Sequence, residues 1–99
     1  MWIFLNDRFV PEQDAKISVF DHGFLYGDGV YETIRSYGSR IFMRDHHLSR
    51  LQRSADAIGL ALPIPLSEWP RLLHEAMDRN QLGNEQTDAY LRITVSRGA

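Results

Sequence analysis

Aromatic and β-branched residues flank the turn dipeptide Asn6-Asp7 in the opening stretch WIFLNDRFV. That pattern predicts a strand, a tight turn and a second short strand. The stretch AKISVF sets Ile17 and Val19 against Lys16 and Ser18 with a period of two, which predicts a further strand leading into a glycine-rich loop. After that loop, VYETIRSYG alternates fully: Tyr31, Thr33 and Arg35 share one face, and Val30, Glu32 and Ile34 share the other. Gly38 then turns the chain into RIFM, which predicts a second hairpin.

The period changes beyond residue 44. Leu48, Leu51, Ala55 and Ile58 recur at steps of three and four, which predicts an amphipathic helix with Asp45 as its N-cap. Pro63 and Pro65 in ALPIPLSEWP break it. Ser67 is placed to cap a second helix that carries Trp69, Leu72, Leu73, Ala76 and Met77 on one face, with Pro70 tolerated in the first turn. NQLGNEQTD ends that helix, and AYLRITVS returns to the alternation of a strand. The order predicts an α/β fold of the α+β type: a two-layer sandwich of a mainly antiparallel sheet and two helices, forming one domain over residues 1–99.

Composition narrows the function classes. Thirteen acids and eleven bases are spread along the chain for a net charge of −2, so no basic stripe points to nucleic acid or to an anionic membrane. There is no cysteine, which excludes disulfides and thiolate metal sites, and the four histidines lack the spacing of a zinc site. No basic leader precedes an apolar run and no apolar stretch approaches about 20 residues, so a cytoplasmic protein without a membrane partner is expected. Ten of the eleven basic residues are arginine, the exception being Lys16. Either this reflects genomic composition, or the site handles acids.

The glycines of GFLYGDG match neither a P-loop nor a dinucleotide fingerprint. Their ordinary reading is a compact loop that packs Phe24 and Tyr26. Tyr31 and Arg35, about 13 Å apart along one strand face, could line a shallow groove, although such pairs are commonly plain surface. Arg50 lies on the flank of the first helix, while Arg53 points away from the apolar stripe into solvent. For Arg50 the choice is between a surface ion pair and two parallel N–H donors for a phosphate or carboxylate. His46 and His47 are adjacent, face different ways on a helix and receive no chemistry. Tyr90 and Arg92 share a face of the last strand, and Arg97 follows at its end. Arg35, Arg50, Arg92 and Arg97 thus form a set of four candidate anion-binding groups.

SVFDHGFLYGDGVYETIRSYGSRIF, then HLSRLQRSA, then DAYLRITVSRG, resembles in order and spacing the N-terminal domain of the class IV (fold-type IV) pyridoxal-phosphate enzymes. That family includes branched-chain aminotransferases, D-amino-acid aminotransferases and aminodeoxychorismate lyases. The resemblance implies pyridoxal 5′-phosphate as cofactor and assigns its phosphate to Arg50. It implies that Tyr26, Tyr31 and Arg35 line the substrate pocket, Arg35 mainly by organising it. Arg92 and Arg97 match arginines that different members use near the substrate carboxylate or the dimer contact. The AYLR wording resembles branched-chain enzymes, although Tyr31 stands where those commonly have phenylalanine.

The same resemblance implies that the Schiff-base lysine, the acid facing the pyridine nitrogen and the loops cradling the phosphate all lie beyond residue 99. Lys16 does not match the lysine position. The ending Ser96-Arg97-Gly98-Ala99 is expected for a chain cut before its next element. The expected function is therefore the N-terminal part of a homodimeric branched-chain transaminase, acting on amino acids and 2-oxo acids and inactive without its second domain. A D-amino-acid aminotransferase or aminodeoxychorismate lyase is the alternative within the family. From another class, the alternative is a non-catalytic binding or dimerising module of the same fold.

Overall fold

The computed structural model describes residues 1–99. Strands β1 (Trp2–Leu5) and β2 (Arg8–Pro11) pair antiparallel, with Leu5 opposite Arg8 and the turn passing through Asn6 at φ 63°. Asparagine tolerates that left-handed conformation better than most side chains. Phe4 and Phe9 face each other across this ribbon with ring centroids 5.2 Å apart. The ribbon forms a sheet of its own.

The main sheet has the order β4-β3-β5, entirely antiparallel, built from β3 (Gly29–Tyr37), β4 (Arg40–Ile41) and β5 (Ala89–Ser96). β3 and β5 pair over eight residues, from Gly29 opposite Ser96 to Ser36 opposite Ala89. One face of this sheet carries Val30, Ile34, Ala89, Ile93 and Val95, all buried. Against it pack helices α2 (Arg44–Ala57), through Leu48, Leu51 and Ala55, and α3 (Trp69–Arg79), through Trp69, Leu73 and Met77. The molecule is only 18 Å thick, room for one sheet and one helical layer. The expected two-layer α/β sandwich is met.

Several local expectations are corrected. AKISVF forms no strand: Ile17, Val19 and Phe20 are 61 to 71% exposed, and the backbone bonds locally, Lys16 N–H to the Asp14 carbonyl and Phe20 N–H to Ser18 Oγ. Alternation makes a strand only where a neighbour completes the ladder. The glycine-rich segment contains a short helix, α1 (His22–Tyr26). Asp21 caps it by accepting from Gly23 N–H at 2.8 Å, and Gly27 closes it at φ 64°. The strand predicted over RIFM shrinks to Arg40–Ile41, because Met43 turns left-handed at φ 51° just ahead of α2.

Asp45 lies inside the first turn of α2, where its charge meets the positive end of the helix, and is not the N-cap. Ser67 sits in a 3₁₀ turn (Leu66–Glu68) ahead of α3 and makes no capping bond. Ile58 lies at the C-cap of α2 and is 40% exposed, so it falls outside the core stripe. The N-terminal ribbon is tied to the end of α3 by a reciprocal pair: Trp2 N–H donates to Asn80 Oδ1 at 2.7 Å, and Asn80 Nδ2 donates to the Trp2 carbonyl at 2.9 Å. Arg79 stacks 4.5 Å above the Phe9 ring beside it. Gly83 carries the chain from α3 towards β5 at φ 67°, where an added Cβ would collide with Met77 Sδ.

Candidate functional site

Strand β3 divides the candidate residues between its two faces. On the buried face, between Val30 and Ile34, stands a carboxylate: Glu32, 4% exposed. Helix α2 supplies its partners. Arg50 donates from Nε to Glu32 Oε2 and from Nη2 to Oε1, both at 2.8 Å, and His47 Nδ1 lies 2.8 Å from Oε1. A carboxylate only accepts, so Nδ1 is the His47 nitrogen that carries the proton. His47 and Arg50 are three residues apart, which on a helix places both over one spot on the sheet. The Arg50 hydrogen bonds hold the Glu32 carboxyl down to about 2; burial opposes this, and the His47 bond adds to it.

Arg50 itself is half exposed, and its Nη1 has no partner in the chain. Arg50 does make an ion pair, but not the surface pair expected, since its partner Glu32 is buried, and the pair takes up one edge of a guanidinium whose other edge is open. Arg53, as expected, is exposed.

The opposite face of β3 is open. Arg92, on β5, stacks 4.5 Å above the Tyr31 ring and donates from Nε to Thr94 Oγ1. Tyr31 lies opposite Thr94 and Thr33 opposite Arg92, so the cross-strand register brings these groups together. Further along the same face, Arg35 donates from Nη1 to the Tyr90 hydroxyl at 2.7 Å and reaches Asp88 at 3.5 Å. Its guanidinium stands 4.9 Å from the Tyr90 ring and 5.2 Å from that of Tyr37. The Tyr90 bond is the main reason the Arg35 guanidinium holds its proton above the usual arginine value. Arg35 Nε is buried without a partner. Asp88 also accepts from Gly38 N–H at 2.8 Å, which anchors the β3–β4 turn to the start of β5.

Arg97 stands apart from both groups. Its Nε donates to Asp28 at 2.8 Å and its Nη2 to the Ile58 carbonyl at 2.8 Å, joining the segment after α1 to the C-terminal end of α2. The hydrogen bond from Arg97 depresses the Asp28 carboxyl, and His22, 3.7 Å away, adds to the effect. Tyr26 is 73% exposed at the end of α1, edge-on to His22 at 5.4 Å. The structure therefore gathers Tyr31 with Arg92 and Arg35 with Tyr90 on one face, sets Arg50 on the other, and uses Arg97 to clamp two segments.

Three residues escaped the sequence reading. Glu32 had a signal, as the single acid on a strand face that otherwise carries Val30, Ile34 and Ser36. His47 had only its three-residue offset from Arg50. Tyr90 shares the outward face of Arg92, but its bond to Arg35 spans 55 positions and had none.

Residues 29–99 match the family model of amino-transferase class IV. A Methanocaldococcus jannaschii protein, provisionally named a branched-chain-amino-acid aminotransferase, is 46% identical over 98 residues, 99% of this chain and 33% of that one. The D-alanine aminotransferase of Staphylococcus epidermidis is 38% identical over 98% of this chain and 33% of its own length. Among solved structures, the T.th. branched-chain amino acid aminotransferase with pyridoxamine 5′-phosphate superposes with a TM-score of 0.88 at 32% identity, over 99% of this chain and 33% of that one. The chain thus spans about a third of the length of the relatives it matches.

Proposed function

The chain belongs to the class IV aminotransferases, and from that premise we propose that it is the amino-terminal domain of a pyridoxal 5′-phosphate-dependent transaminase. Its amino donors are L-leucine, L-isoleucine and L-valine, and its acceptor is 2-oxoglutarate. One observation carries the cofactor assignment: Arg50 has two nitrogens engaged by Glu32, a third without a partner, and half of its side chain open. A guanidinium fixed along one edge and free along the other suits a phosphate oxygen.

Pyridoxal 5′-phosphate, when bound, supplies the electron sink that loosens the bonds at an amino acid's α-carbon. The chain's own residues bind and orient. Arg50 anchors the phosphate. Across β3, the Tyr31 hydroxyl and the stacked Arg92 guanidinium offer donors to a substrate carboxylate, Arg35 fixes the Tyr90 phenol beside them, and Tyr26 forms part of the rim. Arg97 contributes through Asp28, by holding α1 and the loop after it against the end of α2. The proton-moving lysine belongs to a second domain beyond residue 99, since Lys16 stands on the exposed segment between β2 and α1. The 99 residues alone do not transaminate, and the complete protein is a cytoplasmic homodimer.

The branched-chain assignment is supported by the Methanocaldococcus relative and by the structural likeness to the T.th. enzyme. The D-alanine aminotransferase similarity favours a second reading, a D-amino-acid donor. A panel of L-leucine, L-isoleucine, D-alanine and aminodeoxychorismate, given to the complete protein with 2-oxoglutarate where transamination is assayed, decides between them. Turnover of the branched-chain donors is expected. Turnover of D-alanine alone favours the second reading, turnover of aminodeoxychorismate alone favours the lyase, and turnover of none overturns both aminotransferase readings and favours a non-catalytic module.

A further inference from the structure

Among the side chains near Arg50, Glu32 is the one whose placement calls for an explanation. It takes a core position on β3, between Val30 and Ile34 and paired across the ladder with buried Ile93, where an apolar residue would fill the space without desolvating a charge. A buried ion pair is weak evidence for stability. Its geometry is specific, however: three bonds of 2.8 Å from two residues of one helix converge on its two oxygens.

We propose that Glu32 is a positioning residue for Arg50, gripping the guanidinium along its Nε–Nη2 edge so that Nη1 is held out towards a phosphate, with His47 bracing the carboxylate from the other side. This rests on the reading of Arg50 as the phosphate anchor. The strand backbone fixes where the carboxylate stands, because β3 is laddered to β5 on both sides of residue 32. Two parallel bonds to one carboxylate remove rotation of the guanidinium about its own axis, which a single bond or a lysine could not do. His47 Nδ1 occupies Oε1 from a second direction, so the carboxylate cannot swing to follow Arg50 outward.

Two effects of removing the Glu32 charge oppose each other. Arg50 would lose its neutralising partner and attract an anion more strongly, but it would also regain the freedom of a long side chain. The first effect is screened at a half-exposed group, whereas the second is not, so loss of orientation dominates at ordinary ionic strength.

The test compares affinities of the complete protein for pyridoxamine 5′-phosphate and for pyridoxamine, which differ only in the phosphate, by fluorescence titration. Glu32→Gln is expected to lower the ratio of the two affinities roughly tenfold or more, leave pyridoxamine binding unchanged, and add little once Arg50→Ala is present. Should Arg50→Ala collapse the ratio while Glu32→Gln leaves it intact, the positioning role is overturned and the phosphate anchor stands. If neither substitution moves the ratio, the phosphate reading itself is overturned. A purely structural role would weaken both ligands together, which also overturns the proposal. Where a thermal melt shows Glu32→Gln unfolded, Glu32→Asp replaces it: the charge stays, but the carboxylate sits about 1.5 Å short of Arg50. Its ratio must fall too; a ratio preserved in Glu32→Asp counts against the grip.

Discussion

Glu32 ties a share of the chain's acid sensitivity to one residue. Its carboxyl titrates near 4.5 ordinarily and about 2 in the folded chain, held there by Arg50 and, less strongly, by His47. The unfolded state therefore binds the proton first as pH falls. Glu32 contributes its full stabilisation above the unfolded value and loses it progressively as pH drops from about 4.5 to about 2. The ceiling set by that shift is discounted because the Arg50 side of the pair is half solvated, which leaves on the order of 2 kcal/mol. Urea unfolding at a series of pH values should show a steeper acid loss for the native chain than for Glu32→Gln; parallel curves would remove Glu32 from the account. At this scale the sequence shows that an acid occupies an apolar strand face, because alternation is local. It does not show the acid's partners, because Arg50 lies 18 positions away and only the packing of α2 on β3 brings them together.

At the scale of elements, periodicity was sufficient for α2, α3, β3 and β5, each long enough to repeat its pattern and bury one face. It failed for the stretch between β2 and β3. There, AKISVF alternates without a ladder partner, and DHGFLYG hides a helix of five residues behind two glycines. What stabilises α1 is not periodicity but Asp21, which accepts Gly23 N–H on one oxygen and the Ser96 hydroxyl at 3.0 Å on the other. The second bond fastens α1 to the end of β5, a contact across 75 positions with no local sequence signal. Asp21→Ala should cost about 1–2 kcal/mol, from the lost cap and the stranded hydroxyl. Asp21→Asn keeps a capping oxygen and should cost clearly less. Denaturant midpoints of the two variants check this, and an Asp21→Ala change of only a few tenths of a kcal/mol would mean that α1 is held by something else.

At the scale of the molecule, a single layer of helices covers a single face of the sheet, and exposed apolar side chains crowd most densely in one segment. Ile17, Val19, Phe20, Phe24, Leu25 and Tyr26 are 47 to 73% exposed within ten consecutive residues, on and just before α1. Isolated exposed apolar side chains are ordinary, but a run of this kind is the mark of a surface that meets another. The chain spans a third of its relatives' length, and the second domain proposed above would be a cover for it. The 99 residues expressed alone should then associate in a concentration-dependent way and bind a hydrophobic dye, and the double variant Phe20→Ser, Phe24→Ser should reduce both effects. If the proposed second domain covers these residues, the complete protein should bind little dye through them. Sedimentation and dye fluorescence on the two lengths provide the check. A monomeric, dye-silent short chain would mean that residues 17–26 are solvated surface in their own right, and the cover for α1 would have to be sought elsewhere.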